Sequence, residues 1–391
     1  MNAMETHMKP TTLAAVTATV IAAVVAFASV CGSAVAQDKA EKTARPDALV
    51  TLEGGQQKKR PGKVESADFE KVVFTDLKGG KKTEIPAADI FAIEWGDAPA
   101  GYEDGVRALG AGDWEAARVG FNDAIREKDV KPDLGAWLLD FGNAGLGRAL
   151  LQLGQADKAA EAFTKARSAN AKSFLTDQIL LGLAEAELAR GKGDAAARAA
   201  DDLIAAAKTA RRPAWELGAY LVRSKGKLQA GDWSGAASAF DDTIRFAENA
   251  AASEKNADAK KRLQSAGIEA AVRKGWAMVA KGEATKSNGD FDAARSYFDG
   301  LASKYPAEPV VLASAVNAAG VAKFAAGDFK GAIRLFQTAE VVHFRAGDEV
   351  ARAYWYQAEC WKKLGNEQNR ADRIKDLKEE FPGSEWARRA Q

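Results

Sequence analysis

From Tyr102 to the C terminus, alanines and larger apolar side chains recur at helical spacing among charged residues, and proline stays at the predicted boundaries. Seven glycines punctuate this region: Gly112, Gly154, Gly191, Gly231, Gly289, Gly327 and Gly365. They stand 42, 37, 40, 58, 38 and 38 residues apart. A unit of roughly 38 residues accommodates two four-turn helices and two short connections. The pattern therefore predicts helix-turn-helix repeats. Each glycine ends a first helix in a left-handed backbone, and the aspartate that often follows caps the second. The one long interval coincides with Glu248–Arg262, where residues 250–256 lack a bulky apolar side chain. It predicts an insertion at about 248–263, as lengthened helices or a polar loop.

A different period precedes the helices. Short β-like runs at Ala48–Leu52, Lys63–Glu65, Val72–Thr75, Thr83–Ile85 and Ile90–Trp95 are separated by glycine and proline turns. Five such strands within residues 47–97 predict a small closed or half-closed β-barrel. The dense basic cluster Lys58-Lys59-Arg60 lies between Gly55 and Pro61-Gly62 and is expected in a solvated hairpin loop. Residues 37–46 are polar and read as a flexible linker. Residues 1–36 read as a secretory signal: Lys9, an uncharged run from Thr11 to Val30, and Ala34-Val35-Ala36 before Gln37. An uncleaved membrane anchor is the alternative reading of that run.

Composition narrows the chemistry. The net charge is +1 with both signs interspersed, which favours neither nucleic acid nor an anionic membrane surface. Removal of residues 1–36 takes Cys31 with it and leaves Cys360, which has no internal partner and is expected buried in a helix. The same cleavage leaves His343 as the one histidine, so a zinc site would depend almost wholly on carboxylates. No Gly-x-Ser-x-Gly elbow, phosphate loop or dinucleotide fingerprint appears. No catalytic residue, cofactor or metal ligand is expected.

The repeats also share a seam. Seven residues before each turn glycine stands a small side chain: Gly105, Gly147, Ala184, Ser224, Gly282, Gly320 or Ala358. Five residues after it stands an alanine, from Ala117 to Ala332, except in the last unit, which has Arg370. Facing small residues let paired helices approach closely. Nine residues after the glycine come, in most units, Phe121, Phe163, Phe240, Phe298, Phe336 and Ile374, expected to fill the gap between hairpins. Tyr305-Pro306 and Phe381-Pro382 close two second helices.

Small, small, aromatic and proline at these offsets resemble the tetratricopeptide repeat family, over about Tyr102–Gln391. Most spacings exceed the family's norm of about 34 residues. The resemblance implies a mainly α chain, an α-solenoid of about seven repeats over residues 98–391, preceded by a small barrel similar to SH3-like or Sm-like folds. The closing Phe381-Pro382-Gly383-Ser384-Glu385-Trp386-Ala387 is also similar to exported envelope members of the family, such as outer-membrane assembly and tol-pal system proteins.

Transferred to this sequence, the family's concave face implies a partner-binding set of Tyr102, Arg148, Lys225, Trp276, Glu283, Asn317, Arg352, Trp355 and Glu359. Their mix of charge, ring and amide suits an extended or helical peptide. The implied function is a non-catalytic periplasmic scaffold that binds protein or peptide partners in cell-envelope organisation or assembly. No nucleic acid and no stable membrane insertion after signal removal are expected. The alternative places recognition of an envelope polymer such as peptidoglycan in the N-terminal β module, with the solenoid as a spacer or oligomerisation arm. An enzyme is a third reading that no motif supports.

Overall fold

The computed structural model describes residues 45–390 apart from Gly54, Gly55, Asp133 and Arg211. The expected signal, its cleavage site and most of the linker lie outside the described residues. Two compact units divide the chain, one ending at Asp232 and one beginning at Trp233.

The N-terminal unit opens with five antiparallel strands: β1 (Asp47–Glu53), β2 (Gln56–Ala67), β3 (Lys71–Asp76), β4 (Lys82–Pro86) and β5 (Ala92–Glu94). Their order in the sheet is β4-β3-β2-β1-β5, with a 3-10 turn at Ala87–Asp89 leading into β5. Among the described residues β4 and β5 are opposite edges, so the expected small β module is a five-stranded antiparallel sheet whose two ends are not paired with each other. The basic cluster is likewise strand rather than loop: Lys58, Lys59 and Arg60 pair with Thr51, Val50 and Leu49. Pro61-Gly62 misled because it reads as a turn. Instead it continues β2, where a side chain at Gly62 would run into the Phe74 ring at 2.2 Å.

Seven helices follow in this unit: α1 (Ala100–Ala111), α2 (Trp114–Val130), α3 (Trp137–Gln152), α4 (Ala156–Ala169), α5 (Thr176–Ala189), α6 (Gly193–Thr209) and α7 (Pro213–Gln229). The C-terminal unit holds α8 (Trp233–Ser253), α9 (Ala257–Thr285), α10 (Asn288–Lys304), α11 (Pro309–Ala325), α12 (Phe329–Val342), α13 (Asp348–Lys363), α14 (Glu367–Glu380) and the short α15 (Glu385–Arg389). The fold is mainly helical, a solenoid-type succession of hairpins after a small antiparallel sheet. The extra length near residue 250 goes into helix: α8 has 21 residues and α9 has 29, with Asn256 capping α9 at its Asp258 and Ala259 N–H groups.

Six of the seven turn glycines adopt left-handed φ between 71° and 80°. In each, the next residue donates its N–H five residues back, as Asp113 does to Ala108 and Asp328 to Lys323. This wraps orphan carbonyls at the helix end. Asp113, Asp328 and Asn366 then cap the second helices through their side chains. Gly289 departs from the expected pattern. There the left-handed residue is Lys286, with φ 56°, and Ser287 is the cap. Asp290 is held by Lys281 and Thr285 instead, so Gly289 lies inside the first turn of α10.

The aromatic rings nine residues on from the turns sit in glycine slots. Added Cβ atoms at Gly105 and Gly145 would meet Phe121 at 3.1 and 2.4 Å; at Gly147 and Gly182 they would meet Phe163 at 3.0 and 2.2 Å. Each ring thus fills space belonging to its own first helix and to the next. In the longer fifth hairpin Phe298 faces Gly275 of its own α9, at 2.4 Å. In the last hairpin Leu377, fully buried, takes the place expected for the half-buried Ile374.

Candidate functional site

The first helices α1, α3, α5 and α7 lie side by side in the N-terminal unit. Their N-terminal ends are covered by the sheet. Leu49, Val72, Phe74 and Ile93 share one buried cluster with Tyr102, Phe121, Leu138, Phe141 and Phe174. Trp95 stacks on Trp137 at 4.7 Å, and Asp97 accepts from the Trp137 Nε1–H at 3.2 Å. At the β2–β3 turn, Phe69 donates its N–H to the Lys172 carbonyl and lies 4.7 Å beneath the Arg212 guanidinium. Arg212 is anchored in turn by an ion pair with the buried Asp177.

Tyr102 is therefore core, not surface: it is 7% exposed, edge-on to Trp137 and Phe121, and burial pushes its hydroxyl pKa up. Its position on α1 was legible, but the sheet packed over it was not.

The C-terminal halves of α3, α5 and α7 carry Arg148, Glu185 and Lys225, all half-buried. Burial lowers the Arg148 pKa to about 10 against the opposing charge of Glu185. Burial raises the Glu185 carboxyl, opposed by Arg148 and Lys225. Among the described residues Arg148 and Glu185 form no hydrogen bond or close ion pair. Glu185 was missed by the sequence reading, although it stands six residues before Gly191, the offset shared by Arg148 and Lys225. These three side chains form a positive-negative-positive series on successive first helices.

In the C-terminal unit the predicted residues mostly bind one another. The Glu349 carboxylate, 4% exposed in the first turn of α13, accepts from Trp276 Nε1–H at 2.9 Å and Asn317 Nδ2–H at 3.0 Å. It also lies 3.2 Å from Arg352. The Arg352 guanidinium sits between two indoles, 3.5 Å from the Trp276 ring centre and 4.6 Å from that of Trp386. Asn317 is fully buried and so offers nothing to a partner, contrary to its place in the expected set.

Glu349 and Trp386 were the missing members. An acid one helical turn before Arg352 was the available signal for the first. Glu283 is exposed and accepts from the buried Tyr356 hydroxyl at 2.6 Å, while Trp355 and Glu359 are half-buried. This cluster ties α9, α11, α13 and α15 together, leaving Glu283, Trp355 and Glu359 at its margin.

Among the described residues no group of three or more His, Cys, Asp or Glu side chains converges as a metal site. His343 follows the end of α12, and Cys360 is a fully buried free thiol. What the first helices of the N-terminal unit offer is a line of charge and hydrogen-bonding capacity.

Residues 144–211 and 317–384 match the tetratricopeptide repeat family. The repeat assignment is supported in both units. No curated protein sequence is a significant match. Among solved structures, the chain is similar to a tetratricopeptide repeat protein from Parabacteroides merdae, at 16% identity and TM-score 0.49, over 75% of this chain and 97% of that one. NprR in complex with its cognate peptide NprX aligns at 11% identity and TM-score 0.44, over 75% and 81%. The apo form of RapI aligns at 8% and 0.45, over 74% and 79%.

Proposed function

We propose that this chain is a non-catalytic scaffold, exported to a bacterial periplasm, that holds a protein or peptide partner along the first helices of its N-terminal unit. The observation that carries the reading is the Arg148–Glu185–Lys225 series. Both side chains are half-buried, and among the described residues neither makes a hydrogen bond or close ion pair, while burial lowers the Arg148 pKa and raises that of Glu185. A polar group left in that state gains most when a ligand supplies its hydrogen bonds. An extended or helical peptide brings backbone groups and side-chain charges that fit an alternating line. Export rests on the signal features of residues 1–36, and a role in envelope organisation rests on export together with the similarity of the Phe381–Ala387 tail to envelope members of the family. The strand order β4-β3-β2-β1-β5, with a 3-10 turn before β5, supports an SH3-like ancestry for the sheet.

Crosslinking of the chain in envelope extract, followed by mass spectrometry, tests the reading. The partner should crosslink from positions beside Arg148 and Glu185, and Arg148→Glu should weaken its capture at least tenfold, while Lys330→Glu on α12 leaves it unchanged. Capture that is indifferent to Arg148→Glu and Glu185→Lys would remove this face from the function. An N terminus at Gln37 on the exported protein is the expected result for the signal; retention of residues 1–36 would replace export with anchoring.

A further inference from the structure

The fold joins two basic segments that are separate in sequence. Lys58, Lys59 and Arg60 lie on the first half of β2, and Lys78, Lys81 and Lys82 lie at the β3–β4 tip. The Leu77 N–H donates to the Pro61 carbonyl at 3.3 Å, and Gly62 pairs with Asp76, so the tip stands beside Arg60.

The tip is an ordered turn. The Asp76 carboxylate accepts from the Lys78 N–H at 2.8 Å, and the Asp76 backbone bonds to Gly80 and Lys81. Arg60 is matched by Asp76 and Lys59 by Glu94, which accounts for two of the cations at this end. Among the described residues Lys78, Lys81 and Lys82 make no ion pair, and all three are exposed. Between them and the sheet, Leu77 points outward at 59% exposure.

We propose that this end of the sheet is a contact surface for an anionic lipid bilayer. Two observations favour a bilayer over a soluble or wall polyanion. The surface is the tip of a hairpin, where residues 77–82 are all exposed and can press on a plane. Its cations surround an exposed leucine, a side chain that gains by entering the acyl boundary and gains nothing from a hydrated polymer. The chain as a whole carries only +1, so any attraction to an anionic surface belongs to this end of the sheet and not to the overall charge. The contact is peripheral: among the described residues no helix is long and apolar enough to cross a membrane. It goes beyond the scaffold reading and is independent of the first-helix face.

The test is vesicle co-sedimentation of the chain beginning at Gln37, which retains every described residue. The vesicles are phosphatidylcholine with or without phosphatidylglycerol at about one part in three. Each lysine near an anionic surface contributes roughly fivefold in affinity, so changing Lys78, Lys81 and Lys82 to Glu should weaken binding at least 100-fold. Leu77→Asp should cost about tenfold or more. The same charge change at Lys330, Lys362 and Lys363 should leave binding intact, and 0.5 M salt should abolish it. All variants change exposed side chains, and their melting curves should coincide with that of the parent.

Several results overturn the proposal. These are no binding to phosphatidylglycerol vesicles, equal loss in the control triple variant, or binding that Leu77→Asp leaves unaffected. Preference for isolated peptidoglycan sacculi over vesicles also overturns it and favours polymer recognition by the sheet.

Discussion

Phe163 occupies volume that an alanine at Gly182 would claim, with the ring 2.2 Å from the added carbon. Gly182→Ala should therefore destabilise by about 1–3 kcal/mol through overpacking. Gly300, also helical, has nothing within 4 Å of its added Cβ. Gly300→Ala should stabilise by up to about 1 kcal/mol from helix propensity alone. Urea midpoints for the two variants should move in opposite directions, and a shared direction would refute the slot argument.

Cys360 offers a second check, with its thiol pushed up to about 12 by burial and by Glu359. The unfolded thiol ionises near 9.0, so the stability it contributes is intact below that pH and is lost as pH climbs towards 12. One unit above the unfolded value the loss is about 1.4 kcal/mol. Urea titrations at pH 8 and pH 10 should show Cys360→Ala losing less between them than the parent. Alkylation of Cys360 at pH 8 should also be slow until urea opens the fold; labelling at the rate of a free thiol would contradict its burial. The ring-and-glycine offsets were legible because both partners recur at fixed distances. Glu349 was harder to read, since its partners Trp276 and Asn317 lie 73 and 32 residues away on separate helices.

At the scale of elements, the sheet is joined to the helices through a buried ion pair. Asp177 is 1% exposed, and Arg212 spans from it to the ring and carbonyl of Phe69. Arg212→Ala leaves the carboxylate buried without its cation and should cost about 3–5 kcal/mol. Replacing both partners, with Arg212→Met and Asp177→Leu, should recover most of that loss. A double variant no better than the single one would mean that Phe69 packing, not charge, makes the joint.

The helical hairpins were legible at this scale because glycine, cap and seam agree on one register. Two elements were not. Pro61-Gly62 carries a turn signal that pairing with β1 overrides, and the glycine is needed for the Phe74 ring rather than for a bend. At Lys286–Asp290, Ser287 and Asp290 are rival caps, and the bonds from Lys281 and Thr285 to Asp290 decide between them. That choice depends on side chains one helical turn back, which a turn motif does not include.

For the molecule as a whole, the expected succession of helical hairpins is present, and the described residues fall into two units, each with its own buried core. The C-terminal unit has one conspicuous point of access. Lys255, Lys260, Lys261 and Arg262 are exposed where α9 begins. Limited trypsin treatment should cut there before it cuts within α11 or α13, as read by mass spectrometry of the first fragments. Early cuts in α13 would contradict the Glu349 cluster as a clamp.

The sheet's place on the first hairpins bears on how any phenotype of this gene product is interpreted. Residues 47–97 invite removal as a detachable module, yet their loss would strip cover from Tyr102, Trp137, Phe141 and Phe174 together. A shortened chain would then be sticky and prone to chaperone capture, and its failure in a cell would say nothing about what the missing strands recognise. Single exchanges on the outward side, at Leu77 or Lys81, leave that seat undisturbed and are the informative alleles.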